Sequence, residues 1–309
     1  MNNTNKHSFL LVAAMVLIAL LTGCLKDDLS HCPRPFQVTI KALDADKNDI
    51  TESGDVEQVV LFVFDDEGHI YQAFTLSGEE VKRHKTIDIK VGYPSTKSFK
   101  FVAWANLDEK IDFSNIESVQ DLSDLYVKLK TKGYRMGATK IAESPGDLFY
   151  GKLLVPTPIE KKEAGQLHTI EIERKTVGET ITAIGLKQWN GNKEGEYTFI
   201  VRETHSMYDA EGDVTGEIVI YAPTSTLSAE GTLSTPLYYV FPTDPGVGYV
   251  VDILFNGEVI FTADKNSDGT PFFCENGRTL NIIIDFRANL EIITEITPWN
   301  VVFQYVDFN

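Results

Sequence analysis

Three cysteines and one spaced run of carboxylates are the residues of this chain whose types and positions suggest chemistry. Cys24 follows Leu21-Thr22-Gly23 directly, at the end of an almost unbroken apolar run from Phe9 to Leu21. Small residues before a cut fit a signal-peptidase groove, and a cysteine left at the new N-terminus offers a thiol for acylation. Cys32 and Cys274 remain. Outside the cytoplasm they could pair as a disulfide, the alternative being two separate thiols. Asp264, Asn266 and Asp268, with Gly269 next and Glu275 at the twelfth position, carry the side-chain oxygens and sharp-turn glycine of a calcium loop. The flanking residues read as strands rather than helices, and Pro271 stands where an aliphatic residue normally bridges to a partner loop. A polar hairpin tip is therefore expected there, with a calcium site as the alternative.

No catalytic residue and no cofactor site emerges. His7, His31, His69, His84, His168 and His205 are widely spaced, and no zinc, phosphate-loop, dinucleotide or nucleophile-elbow pattern is present. The chain carries 45 Asp and Glu against 28 Lys and Arg, a formal net charge of −17, so chance carboxylate pairs are inevitable and nucleic acid is repelled.

The elements that must hold these groups begin with residues 1–23. Lys6 is the one firm positive charge ahead of the apolar run, and the run is too short for a helix that crosses a bilayer core. Run and cysteine together resemble the lipobox of bacterial lipoproteins. Residues 24–34 then read as a polar tether, stiffened by Pro33. From Phe36 on, short strands and turns alternate. Val59 to Phe64 is apolar at every position, so that strand needs cover on both faces. Ser118 to Leu129 places Val119, Leu122, Leu125, Tyr126 and Leu129 at helical spacing, which predicts one short helix as that cover. Pro156-Thr157-Pro158 and the charged stretch up to Gly165 form the best linker, so a first domain is expected over 35–162 and a second over 163–309. Strands are predicted in the second half at residues 167–173, 179–186, 197–203, 217–221, 237–241, 249–255, 258–262, 279–286 and 292–296, the spacing of an antiparallel β-sandwich. The fold class read from this pattern is all-β.

The tether also carries a family resemblance. Cys24-Leu25-Lys26-Asp27-Asp28-Leu29-Ser30-His31-Cys32-Pro33 resembles the opening of the Bacteroidales FimB-type fimbrial anchor lipoproteins. Asp147-Leu148-Phe149-Tyr150-Gly151, Arg174 and Trp299 resemble later landmarks of the same family, in order. The resemblance implies two tandem transthyretin-like β-sandwich domains on a lipidated Cys24, held at the outer membrane. It implies an anchor or minor subunit of a fimbrium, with related stalk or accessory pilins as partners and strand addition as the mode of contact. Lys26, Asp27 and Asp28 resemble a lipoprotein export signal, which would place the body on the cell surface. Val301 to Val306 is apolar and β-prone, read as a last core strand with an exchanged strand as the alternative. A second reading is a surface adhesin or glycan-binding lipoprotein of the same fold, with Trp104, Trp189 and Trp299 as possible stacking platforms and Trp189 alone beside an obvious turn.

Overall fold

The computed structural model describes residues 36–89, 96–135, 139–156, 167–287 and 289–303. In chain order the strands are β1 (Phe36–Leu43), β2 (Gln58–Phe64), β3 (Ile70–Ser77), β4 (Ile87–Ile89), β5 (Ser98–Ala105), β6 (Ile111–Phe113), β7 (Val127–Leu129), β8 (Thr131–Arg135), β9 (Thr139–Ala142), β10 (Phe149–Pro156) and β11 (Leu167–Arg174). They continue as β12 (Val177–Ile184), β13 (Tyr197–Tyr208), β14 (Val214–Tyr221), β15 (Thr226–Leu227), β16 (Leu233–Ser234), β17 (Tyr238–Val240), β18 (Val250–Phe255), β19 (Glu258–Ala263), β20 (Arg278–Asp285) and β21 (Glu291–Pro298).

Three sheets result. The first runs β3-β2-β5-β10-β11-β1-β4. The second runs β15-β16-β12-β20-β21, with β17 also on β12. The third runs β19-β18-β13-β14-β9-β8, with β7 on β13 and β6 on β7. The expectation of purely antiparallel pairing needs correcting, because β1 lies parallel to β11, β12 to β20, and β14 to β9. In both the first and second sheets, an early strand of the sheet therefore pairs in parallel with a late one.

The first sheet folds over on itself. β10 and β11 share only two paired positions, Phe149 with Arg174 and Tyr150 with Glu173. Just beyond them Gly151 passes so close to the Glu171 carbonyl that a Cβ there would collide with it. The strands part at that point and enclose a core of Val59, Leu61, Val63, Phe99, Phe101, Ile170 and Ile172, with Val81 of the helical turn Gly78–Lys82 packed against it. The opposite face of β2 and β5 presents Val60, Phe62, Phe64, Val102 and Trp104, and these are buried too.

That second face has the cover its composition demands, but not from a helix. Residues 118–129 form a short 3-10 turn, Leu122–Asp124, followed by β7. Of the expected stripe Val119, Leu125 and Leu129 are buried, but Leu122 and Tyr126 are only partly so, and Val127, outside the stripe, is buried with Leu129 in the period of a strand. Local side chains take the backbone groups a helix would need. Asp124 accepts from the N–H groups of Gln120 and Asp121, while the Ser114 hydroxyl donates to the Asp124 carbonyl and accepts from the Tyr126 N–H. The short helix of the first half is instead Gly78–Lys82, capped by Ser77 and Glu80 in a reciprocal box. A second helical turn, Leu186–Trp189, sits where no helix was expected.

The expected boundary near residue 163 falls outside the described residues, and sheet membership does not change around it. β11 belongs to the first sheet, β12 to the second, and β6 to β9 hydrogen-bond into the third, which is otherwise built from strands beyond residue 196. The core on the outer face of the first sheet is accordingly continuous with the core between the second and third sheets.

Phe62 is only 2% exposed on that shared core. Phe62→Ala should lower the stability of the full chain by about 3–5 kcal/mol in urea unfolding. Leu154→Ala, at a side chain that is 63% exposed, should change it little.

Candidate functional site: the joint between the halves and the open sheet edge

The three internal landmarks noted in the sequence meet in space. Arg174, at the end of β11, is held with its side chain only 3% exposed. Its Nε donates to both Asp147 oxygens at 2.9 Å, and its Nη2 donates to Asp55 at 2.6 Å. The guanidinium also lies 4.8 Å from the Phe149 ring centroid and 4.9 Å from that of Trp299. Trp299 in turn stacks on Tyr239, 4.9 Å between centroids with the planes 14° apart. The Tyr239 hydroxyl donates to Asn300 at 2.7 Å. One cation thus clasps the first half to the segment that follows β21. A planar guanidinium suits this place because it can bind two carboxylates in its plane while its faces meet two rings.

Beside the clasp an aromatic series crosses the joint. Tyr150 packs on Trp104 at 4.7 Å, Trp104 on Tyr208 at 5.6 Å, and Tyr208 on Phe241 at 4.6 Å. The hydroxyls of its two tyrosines find backbone acceptors, Tyr150 on Ala210 at 3.0 Å and Tyr208 on Lys175 at 2.5 Å. An ion pair of Arg278 on β20 with Asp46, just after β1, ties the halves again. Asp55, Tyr208 and Tyr239 gave no signal in the sequence, since nothing in their local pattern separates them from surface acids or core tyrosines.

The remaining expected site residues have separate fates. Cys24, Lys26, Asp27, Asp28 and Cys32 lie outside the described residues. Cys274 is buried, with its Sγ 3.5 Å from the Glu275 carbonyl, and burial pushes its thiol up to about 12. In the calcium-like loop, Asp268 accepts from the N–H and hydroxyl of Thr270, and the Asn266 amide donates to Thr270 and to Thr294 of β21. Glu275 lines the cleft at the joint with Arg174 and Lys175. Among the described residues no three His, Cys, Asp or Glu side chains gather as metal ligands.

What the loop does instead is cover a sheet edge. The Ser267 N–H donates to the Ile292 carbonyl, and the Ile292 N–H donates to the Ser267 hydroxyl, both at 2.8 Å. These bonds show that Ile292 points its backbone groups away from β20. By the alternation of an antiparallel pair, Thr294 and Ile296 do the same. Past them the edge closes again, because the Val301 N–H donates to the Pro298 carbonyl. Among the described residues, none pairs with the middle of β21 on its outer side. Ile296 is 54% exposed there, and Val301, Val302 and Phe303 are exposed close by.

Comparison with known proteins bears directly on this assembly. The profile of the Mfa2 family, "Fimbrillin-A associated anchor proteins Mfa1 and Mfa2", matches residues 29–305. The chain belongs to this anchor-protein family. It is 34% identical over 316 residues to the "Major fimbrium anchoring subunit FimB" of Porphyromonas gingivalis strain W83, covering 100% of both chains. A further P. gingivalis protein of that name is 35% identical over 312 residues, covering 98% of each. Among solved structures, the fimbrial anchor protein Mfa2 from P. gingivalis shares the fold, with a TM-score of 0.63 at 15% identity over 87% of this chain and 98% of that one. The family is one of anchor proteins and not of enzymes. The resemblance carried by the Cys24 opening, Asp147–Gly151, Arg174 and Trp299 therefore identified the family correctly.

Two acids in this family member sit where burial dominates. At the clasp, desolvation pushes the Asp147 carboxyl up to about 7 against the pull of Arg174. Deeper, Glu179 on β12 is wholly buried, its oxygens have no hydrogen-bond donor, and the Tyr238 hydroxyl beside it lies outside hydrogen-bond geometry. Burial pushes Glu179 up to about 8 from 4.5. A carboxyl raised on folding keeps a proton that the unfolded chain releases, so its contribution to stability is full below pH 4.5 and is lost as pH rises to about 8. Glu179→Gln should therefore raise the urea midpoint at pH 8 and change it little at pH 4.5. Arg174→Met leaves the buried Asp147 carboxyl without its partner at the joint and should cost about 1–3 kcal/mol in the same assay at neutral pH.

Proposed function

We propose that this chain is a lipid-anchored outer-membrane protein that holds a fimbrium to the cell and faces the cell surface. The observation that carries the reading is the full-length relationship to P. gingivalis proteins named for anchoring the major fimbrium. The leader and Cys24 supply the means. Acyl chains add about 0.8 kcal/mol per buried methylene, so several chains on one cysteine hold a folded body at the membrane with no spanning helix. Lys26, Asp27 and Asp28 act as the export signal that carries the body to the outer face.

The two halves are tandem transthyretin-like units. The parallel pairing of β1 with β11, and of β12 with β20, supports a common plan in which an early strand closes beside a late one. The shared core and the Arg174 clasp support a body that transmits load between fimbrium and membrane, since pulling the halves apart would strip apolar surface and draw the Trp299 ring off the Arg174 guanidinium. Related stalk or accessory pilins bind by adding a strand, whose backbone satisfies edge N–H and C=O groups. The middle of β21 is the receiving edge we favour, because both of its flanks are already closed and apolar side chains stand beside it.

Cys24→Ser should abolish palmitate labelling and release the protein, with its fimbriae, into the medium; retention in the outer membrane would overturn the lipid anchor. Ile296→Pro removes one outward N–H from an edge strand, where proline is tolerated by the fold. It should leave the melting temperature nearly unchanged and detach fimbriae, as seen by electron microscopy of the complemented deletion strain. Firmly attached fimbriae in that strain would exclude this edge.

A further inference from the structure

We propose that the cleft beside Trp189 binds a neutral pyranoside sugar. The proposal stands apart from the anchoring role and rests on the far end of the second sheet. β12 and β20 run parallel from the Arg174 clasp, and the cleft lies at their C-terminal ends, about 23 Å along the strands from the joint.

The cleft has a volume of about 690 Å³, within the range of small-ligand sites. Its aromatic wall is Trp189, the last residue of the turn Leu186–Trp189. This indole is 46% exposed, whereas Trp104 is buried. Its plane is held by the Phe286 ring at 4.7 Å, which also lines the cleft, and by the Phe261 ring at 6.0 Å, and these two rings pack on each other at 5.0 Å. The opposite wall is the turn between β15 and β16. The Gln188 amide donates to the Glu230 carbonyl at 2.9 Å, and the Lys187 N–H donates to the Gly231 carbonyl at 3.2 Å. Gly231 has φ +81°, and a Cβ there would strike the Gln188 amide, so the two walls meet only because this residue is glycine. Thr182 and Ile184 of β12 form the floor. Arg287 closes the rim, its guanidinium held by Asp285 through Nε at 3.1 Å and Nη2 at 2.8 Å.

A rigid aromatic face set against fixed polar side chains matches one ligand chemistry. The C–H face of a pyranose ring packs on an indole, and its hydroxyls both donate and accept, as the rim's hydroxyl, amide, carboxylate and guanidinium groups require. An acidic sugar is disfavoured, because Arg287 is already paired with Asp285 and the chain carries a net charge of −17. Since the walls are tied to each other in the absence of ligand, little ordering is needed on binding.

The test uses the full-length protein in a detergent that is not a glycoside, with lactose, cellobiose and N,N′-diacetylchitobiose as probes. Saturation-transfer NMR should show transfer to the ring C–H protons of at least one sugar, and the same sugar should shield tryptophan fluorescence from acrylamide. Thr232→Trp fills the cleft while leaving the three stacked rings in place. It should abolish both signals with the melting temperature unchanged. Trp189→Ala should weaken binding about tenfold or more; if that variant fails to fold, Thr232→Trp decides alone. No transfer to any of the three sugars at millimolar concentration, or equal binding by Thr232→Trp, would overturn the proposal.

Discussion

A strand that is apolar on both faces forces most of what this molecule does. Val59 to Phe64 cannot lie on a surface sheet, and neither can Phe99 to Ala105 beside it. One face is served when the first sheet folds over at Gly151. The other is served by β6, β7 and the turn before β7, and these strands hydrogen-bond into the third sheet rather than the first. Covering the second face therefore joins the halves. The result is a single core running from the first sheet to the second and third, whereas two domains meeting at a polar interface would be free to move.

The clasp follows from that join. Where β11 leaves the first sheet and β12 enters the second, the chain passes between two apolar bodies, and the backbone and charges there must be satisfied without bulk water. Arg174 does this by meeting Asp147 and Asp55 in its plane and Phe149 and Trp299 on its faces. Glu179, two residues into β12, has no such partner and is accommodated by holding its proton. The two residues illustrate the two ways a buried ionisable group is tolerated: pairing and neutralisation.

Sheet edges set the other constraint. A β-rich body at a cell surface must not pair indiscriminately, and strand β21 is closed at one end by the loop Asp264–Thr270 and at the other by the turn after Pro298. The acidic, glycine-containing loop that resembles a calcium site in one dimension serves in three as a plug, with Asn266 and Ser267 spending their hydrogen bonds on the β21 edge.

The amino-acid sequence by itself determined the elements whose signal is local. Strands such as β2, β18 and β20 could be read from apolar runs and flanking turns, and the family from short motifs in order. It also determined that β2 needs two covers, because burial of an apolar side chain is a property of composition. It did not determine what the second cover is. Helical spacing over 118–129 competed with local bonds to Ser114 and Asp124, with pairing to β6, and with pairing to β13, about 80 residues further along the chain. Only the tertiary structure placed Arg174 against Trp299, 125 residues away in the chain, and turned a calcium-like loop into an edge plug. Periodicity records how a segment meets its own neighbours, whereas hydrogen bonds and ring contacts between remote segments exist only once the chain has closed on itself.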